Sequence, residues 1–183
     1  TSWTSVSTLP YDFYEGCAVV LNDEIHILGG WDDNKGYTNK HYKWNGTSWT
    51  KVSTLPYGFR DSSAVVYNGE IHILSCIGGN GTEHYKWNGT SWTSVSTLPY
   101  GFFDGSAVIY NDEIHILGGN GSRAKHYKWN GTSWAQVSAL PYDFYEGCAV
   151  VYNGEIHILG GYDDDGYYKY HYSVTQLYYR KVG

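Results

Sequence analysis

The stretch Ser63-Ala64-Val65-Val66-Tyr67-Asn68-Gly69-Glu70-Ile71-His72-Ile73-Leu74 decides the fold of this chain. Two short apolar runs flank Asn68-Gly69. Asn-Gly between such runs is a strong β-hairpin signal, because a type I′ turn needs a positive φ at both central residues. The stretch therefore predicts two antiparallel strands joined by a tight turn. It occurs four times with small changes, at residues 17–28, 63–74, 106–117 and 148–159.

The whole chain repeats with the same period as this hairpin. Trp3, Trp49, Trp92 and Trp134 are separated by 46, 43 and 42 residues, and the differences in length all fall after the hairpin. Self-similarity at a fixed period of this size is typical of solenoids and propellers. The sequence therefore predicts an array of similar units.

Each unit contains four predicted strands, which we call a, b, c and d. In the second unit they span residues 64–67, 70–74, 84–87 and 91–96. Asn88-Gly89 separates strand c from strand d and predicts a second two-residue turn. A four-stranded antiparallel sheet cannot bury both faces alone, so four units in series predict an all-β fold, a β-propeller of four-stranded blades. The alternative, a stack of β-solenoid coils, fits the antiparallel turns poorly.

Two features of the units resemble the kelch repeat. Gly29-Gly30 follows strand b, and Trp49 follows Tyr42 by seven residues. The resemblance implies a kelch-type β-propeller over essentially the whole chain, and kelch rings usually have six or seven blades. Arg60 is the one arginine at a place before strand a where kelch repeats often have one. The spacing from Tyr to Trp recurs at Tyr85/Trp92 and Tyr127/Trp134, and the last unit has Tyr172/Tyr179 at these positions. The double glycine recurs at Gly118-Gly119 and Gly160-Gly161, and the second unit has Ser75-Cys76 there instead.

The units span about residues 8–53, 54–96, 97–138 and 139–183, within one propeller or propeller-half domain. Strands a, b and c are predicted four times but strand d five times, with the fifth copy at Tyr178-Tyr179, so residues 1–7 form an extra outer strand. Three arrangements fit this count. The chain is a fragment of a longer array, a closed four-bladed ring, or half of an eight-bladed ring completed by a second copy of itself.

Composition supports strands and excludes some classes of partner. The chain has 20 Tyr, 8 Trp and 23 Gly, no Met and a net charge of -6. Aromatic residues favour strands, and no 3.6-residue apolar period predicts a helix. The 12 basic residues are scattered, so we expect no nucleic acid and no anionic membrane as a partner. No apolar run approaches the ~20 residues that span a bilayer.

Chain direction places the variable segments on one face of the predicted propeller. The a–b and c–d turns share one face, and the d–a and b–c loops share the other, where binding residues normally concentrate. Each d–a loop contains one proline and then one phenylalanine, which we expect to wedge between blades (Phe13, Phe59, Phe102 and Phe144). The ligand-binding candidates that follow in these loops are Tyr14, Glu15, Arg60, Phe103, Asp104, Tyr145 and Glu146.

The b–c loops add aromatic and acidic candidates. These are Trp31, Asp32, Asp33, Tyr162 and Asp163. Aromatic and acidic residues together suit sugars, through stacking and hydrogen bonds to hydroxyls, and equally suit a basic peptide. The acidic runs lack the alternating ligands and the closing Glu of an EF-hand.

The histidines and cysteines favour structural roles. One His lies in strand b and one at the start of strand c of every unit, which indicates registration of the strands rather than a convergent metal site. Cys17 and Cys148 stand where the other units have Ser63 and Ser106, so we expect them in buried small-residue positions, and Cys76 stands alone in a loop. We expect no metal and no cofactor.

We expect a non-catalytic binding or assembly scaffold that uses the d–a and b–c face for a protein or glycan ligand. An enzyme built on a propeller, of oxidase or sugar-epimerase type, is the alternative, but it needs a base and partner found in only one blade. Nearly every polar residue here recurs in every unit. A third possibility is an engineered or recently amplified repeat with assembly as its only property.

Overall fold

The protein is built from a series of antiparallel β-sheets. The computed structural model describes residues 1–33, 36–75, 80–120, 124–163 and 166–174. These residues contain no helix, and hence no helical segment suited to crossing a membrane. The strands are β1 (Cys17–Leu21), β2 (Glu24–Leu28), β3 (Trp31–Asp32), β4 (Gly36–Tyr37), β5 (Lys40–Trp44), β6 (Trp49–Thr54), β7 (Ser63–Tyr67), β8 (Glu70–Leu74), β9 (Glu83–Trp87), β10 (Trp92–Thr97), β11 (Ser106–Tyr110), β12 (Glu113–Leu117), β13 (His126–Trp129), β14 (Trp134–Gln136), β15 (Cys148–Tyr152), β16 (Glu155–Leu159), β17 (Tyr162–Asp163), β18 (Gly166–Tyr167) and β19 (His171–Val174).

Four sheets follow one another along the chain, and we call them blades 1 to 4. Their strand orders are β1-β2-β5-β6, β7-β8-β9-β10, β11-β12-β13-β14 and, within the described residues, β15-β16-β19. The innermost strands lie side by side, β7 between β1 and β11, and β15 next to β11. The predicted all-β fold of four-stranded antiparallel sheets is confirmed, in a propeller-like arrangement. The fifth copy of strand d, at Tyr178-Tyr179, and Cys76 lie outside the described residues.

The two kinds of predicted turn differ. In the a–b turns both central residues have a positive φ, 51° at Asn68 and 76° at Gly69, as a type I′ turn requires. The predicted two-residue c–d turn is wrong. Trp44 pairs with Trp49 across a four-residue loop, because the Asn45 side chain accepts hydrogen bonds from the amides of Thr47 and Ser48 at 3.0 and 2.9 Å. This Asx turn satisfies the loop without a second left-handed residue.

The double glycine of a blade packs against the backbone of the phenylalanine in the next blade. The amide of Gly30 donates to the carbonyl of Phe59 at 2.6 Å. A Cβ on Gly29, whose φ is +64°, would collide with the same Phe59 backbone. The side chain of Phe59 is buried between blades 1 and 2, as are its equivalents Phe102 and Phe144 in the later junctions, so the predicted wedge is confirmed there. Phe13, at the open end of blade 1, is half-buried.

Every junction between consecutive blades joins the same two apolar faces. Between blades 2 and 3, one side consists of Val65, Tyr67 and Leu74, which we call the tyrosine face, and its equivalents in other blades keep the name. The opposite side is the isoleucine face, formed by strand b and strand c of the next blade with its preceding loop (Ile114, Ile116, Trp129, Leu98 and Phe102). A fully buried side chain of this size contributes about 1.5–3 kcal/mol, so these junctions form the core.

A buried polar chain also crosses the junction between blades 1 and 2 and the junction between blades 2 and 3. In blade 2, Nδ1 of His72 lies 2.7 Å from Nε2 of His84, and Nδ1 of His84 lies 3.2 Å from Oγ of Ser96. Nε1 of Trp134, in blade 3, donates to the same Ser96 Oγ at 3.0 Å. Each of these contacts needs one donor and one acceptor, which two neutral imidazole rings and the Ser96 hydroxyl supply. The His–His contact recurs in the other blades, at His26–His41, His115–His126 and His157–His171.

Residues 1–7 form no strand, contrary to the prediction. Their sequence is identical to residues 90–96, most of which lie in β10 and pair with β9. An outer strand needs a neighbouring strand c, and within the described residues no strand pairs with residues 1–7. Nevertheless Trp49 Nε1 donates to Ser7 Oγ at 3.1 Å, as Trp92 does to Ser53 at 3.0 Å. The segment therefore lies where the outer strand of a preceding blade belongs.

The buried histidines predict a fold that loses stability in mild acid. Burial, followed by the neighbouring histidine, lowers the pKa of His41 and His84 to about 3, and burial lowers that of His72 to about 4. The unfolded chain binds protons near pH 6.5 and the folded chain does not, so stability is complete above pH 6.5 and falls as the pH drops toward 4. Each such histidine removes about 1.4 kcal/mol per pH unit. Thermal melts followed by circular dichroism should show Tm falling steadily below pH 6.5, and a Tm that stays level down to pH 4 contradicts the buried neutral pairs.

Candidate binding face

The d–a loops of the four blades are joined to one another by backbone hydrogen bonds. The amide of Asp61 donates to the carbonyl of Glu15 at 3.3 Å, that of Asp104 to Asp61 at 3.0 Å, and that of Glu146 to Asp104 at 2.8 Å. Each of these acidic residues lies two positions before the innermost strand of its blade. One acidic residue from every blade is thereby placed in a single row, which we call the acidic arc.

The backbone conformation of the acidic arc is the same in all four blades. Glu15, Asp61, Asp104 and Glu146 have φ values of 55°, 50°, 56° and 55°. The left-handed region costs a residue with a side chain roughly 1–2 kcal/mol. Here the cost is offset by the backbone hydrogen bonds between loops.

Arg60 is placed between two carboxylates of the arc. Its Nε lies 2.8 Å from a carboxylate oxygen of Asp61, and one of its terminal nitrogens lies 3.4 Å from Glu15. Its guanidinium carbon also lies 4.8 Å from the centroid of the Tyr37 ring, a cation–π distance. The first two blades thus bind one positive charge between acids and an aromatic ring.

Among the described residues, no cation forms an ion pair with the other half of the arc, Asp104 and Glu146. Burial, then the charges of Asp61 and Glu146, raises the pKa of Asp104 to about 6, and burial raises the pKa of Asp61 as well. The carboxylate of Asp104 is therefore held close to like charges, and the positive charge of Arg60 offsets them only in part.

Two b–c segments are short hairpins rather than open loops. β3 pairs with β4 in blade 1, and β17 with β18 in blade 4. Trp31 packs edge-on against Tyr37, with ring centroids 5.0 Å apart, and its Nε1 donates to the exposed Asp33 at 3.2 Å. The amide of Trp31 donates to the carbonyl of Tyr14 at 2.7 Å, and the Tyr14 side chain is exposed.

The side chains of three predicted ligand residues make contacts within the protein. Asp32 is buried and its carboxylate lies 2.6 Å from Lys40 Nζ, so it fixes the hairpin. Tyr145 is buried and meets Tyr162 edge-on at 5.3 Å. The ring of Phe103 fills the space where a Cβ on Gly81 would lie. Each of these side chains therefore makes contacts within the protein that hold its own loop in place.

The remaining candidates lie at the ends of the face. Tyr162 is half-buried and packs on Tyr167, with centroids 5.0 Å apart. Asp163 lies in β17, and its side chain is outside the described residues. Glu146 is exposed at one end of the arc.

Sequence reasoning missed Asp61, Tyr37 and Tyr167. Asp61 stands at the same place in its unit as Glu15, Asp104 and Glu146, so the repeat itself carried the signal. Tyr37 and Tyr167 lie in the b–c segments that the sequence singles out, and their pairing with Trp31 and Tyr162 follows from the folding of these segments into hairpins. Within the described ranges, no three or more His, Cys, Asp or Glu side chains are grouped as a metal site.

No family model matches the chain, and no curated protein matches it. Among solved structures it is similar to one titled "Structure of YjhT", with a TM-score of 0.82 and 15% sequence identity. The match covers 95% of this chain and 69% of that chain. At this identity the similarity supports the fold alone, an all-β arrangement of repeated antiparallel sheets.

The burial of the Asp104 carboxylate near other carboxylates predicts that removing its charge stabilises the protein. Asp104 has a raised pKa, so its contribution to stability is complete below pH 3.8 and lost as the pH rises past about 6. Asp104→Asn should therefore raise Tm at pH 7, and its advantage over the parent should vanish toward pH 4. Asp112→Asn is the control, since Asp112 has a similar φ of 57° but lies exposed in an a–b turn. Equal Tm changes in the two variants contradict the assignment.

Proposed function

We propose that this protein is a non-catalytic binding scaffold whose acidic arc holds a positively charged segment of another protein. The fold it rests on is, in this proposal, a kelch-type β-propeller with four blades in this chain. The observation that carries the proposal is the row of four acidic residues, one from each blade, in which two carboxylates lack an ion-pair partner among the described residues.

Arg60 serves as an internal example of the ligand. A guanidinium there is bound by Asp61 and Glu15 and lies over Tyr37. Opposite charges at such distances attract each other more strongly in a partly buried site than in open water. An arginine or lysine supplied by a partner would relieve the repulsion at Asp104 and Glu146 in the same way, while gaining aromatic contacts from the neighbouring hairpins.

The net charge of -6 favours the same ligand class. A negative face attracts cationic segments over a Debye length of about 10 Å and raises their association rate. A glycan is the alternative ligand of this face, through Trp31, Tyr37 and the exposed Tyr14. The charge of the arc does not help a neutral sugar, so we place the basic segment first.

The proposal is tested by calorimetric titration with a short arginine- and lysine-rich peptide, a neutral peptide of equal length and a neutral oligosaccharide. Only the basic peptide should bind, and its affinity should fall with added salt. Affinity should also fall as the pH drops below 6, because Asp104 takes up a proton near that pH. Binding of the oligosaccharide alone contradicts the proposal.

A matched pair of variants separates the arc from general negative charge. Asp104→Asn should weaken the basic peptide several-fold and flatten the pH dependence near 6. Asp143→Asn removes the same charge from an exposed position in a neighbouring d–a loop and should change little. Equal losses in both variants would indicate binding to net charge rather than to the arc.

The alternative is an enzyme on this face that would use Asp104, whose pKa is raised to about 6 by burial and the neighbouring carboxylates, as a general acid or base near neutral pH. An oxidase or sugar epimerase would use Arg60 beside it to bind an anionic substrate. In that case the Asp104→Asn protein would still bind a sugar acid but show no turnover.

A further inference from the structure

Blade 4 exposes a tyrosine face that is buried in the other junctions. Tyr152 is 63% exposed, whereas its equivalents Tyr67 and Tyr110 are 8% and 7% exposed. Leu159 is 37% exposed, and its equivalents in blades 2 and 3 are at most 1% exposed. Val150 beside them is also exposed. This is a continuous apolar surface at one end of the described structure.

Blade 1 exposes the matching isoleucine face at the opposite end. Ile25 is 41% exposed, whereas Ile71 and Ile114 are fully buried. Leu9 is 46% exposed, and its equivalent Leu55 is 1% exposed. The two ends therefore carry the two different halves of one junction.

We infer that a second copy of this chain covers these surfaces, with the tyrosine face of blade 4 in one copy docked on the isoleucine face of blade 1 in the other. The occupant follows from the chain itself, which forms this contact three times, between blades 1 and 2, 2 and 3, and 3 and 4. Because the two faces differ, the contact is head-to-tail, and two copies close it into a ring with two such junctions.

The two end blades also carry a hydrogen-bond donor and an acceptor that pair across the junctions between other blades. Cys17 Sγ donates to the carbonyl of Ser62 at 2.9 Å, and Ser106 Oγ donates to the carbonyl of Gly147 at 3.0 Å, both across a junction. Cys148 is the equivalent donor of blade 4, and it is exposed rather than buried as predicted from the sequence. In the paired arrangement its thiol meets the carbonyl of Gly16 in the second copy.

Residues 1–7 lie against blade 1 as the outer strand of one blade lies against the next. Ser7 accepts a hydrogen bond from Trp49 as Ser53 and Ser96 do from the next blade's tryptophan. Val6 and Trp3 are exposed, although the identical residues at Val95 and Trp92 are half-buried beside a neighbouring blade. Blade 4 of the second copy would supply that neighbour.

The inference, which is independent of any ligand, is tested by light scattering on the purified chain. We expect a mass of twice 20.7 kDa that holds over a wide range of protein concentration. A mass of 20.7 kDa overturns the inference, since the chain then leaves its ends open or closes on itself. Species larger than two copies overturn the closed two-copy ring.

Two variants test the head-to-tail geometry. Tyr152→Lys places a charge on the tyrosine face of blade 4, and Ile25→Lys places one on the isoleucine face of blade 1. Each variant alone should therefore have the mass of one copy. An equal mixture should recover two-copy complexes, because one intact junction remains between unlike variants. If either variant alone keeps the doubled mass, the faces do not pair as inferred. Tyr57→Lys, at a partly exposed tyrosine away from both ends, is the control and should stay paired.

Labelling of Cys148 keeps the inference testable if a lysine variant fails to fold. Iodoacetamide followed by peptide mass spectrometry should leave Cys148 of the unaltered protein largely unmodified, because the second copy buries it. Rapid modification of Cys148 under native conditions overturns the inference. Cys17 is the internal reference for a buried thiol, with its pKa raised to about 12 by burial.

Discussion

The contact between a tyrosine face and an isoleucine face is the interaction on which the rest of this structure depends. A single four-stranded blade has two apolar sides and cannot bury either alone, so it is stable only between neighbours. Val65, Tyr67 and Leu74 meet Ile114, Ile116 and Trp129, and the same pattern recurs at the other junctions. The order of the d–a loops, and with it the acidic arc, follows from how closely these faces pack.

The junctions also contain polar groups, which make them specific as well as stable. His84, Ser96 and Trp134 form one hydrogen-bonded chain from the interior of blade 2 to blade 3. Buried polar groups are costly unless every donor and acceptor is satisfied, and a satisfied network fixes one geometry. The histidine–serine–tryptophan chain therefore adds directional contacts to the apolar ones between blades 1 and 2 and between blades 2 and 3.

The sequence predicted the features that depend on neighbouring residues. Asn68-Gly69 specified its turn, and the alternation of Val, Ile and aromatic residues specified the strands. Several features that are set by individual side-chain contacts escaped prediction. Asn45-Gly46 looked like Asn68-Gly69, but the Asn45 side chain folds a longer loop. Asp32 looked like a ligand residue until Lys40 was placed beside it, and the His pairing within each blade follows from diagonal neighbours in the sheet.

Stability and function lie on different parts of the molecule in this account. The inner hairpins and the junctions hold the fold, while the acidic arc concentrates charge that the fold tolerates at some loss of stability. The central claim is that one kind of junction organises the whole assembly, including its ends. Hydrogen–deuterium exchange tests this claim most directly, because slow exchange requires a strand to be packed as well as paired. The account predicts that the amides of β1 and β15 exchange as slowly as those of β7 and β11, and exchange of β1 and β15 that is orders of magnitude faster would contradict it.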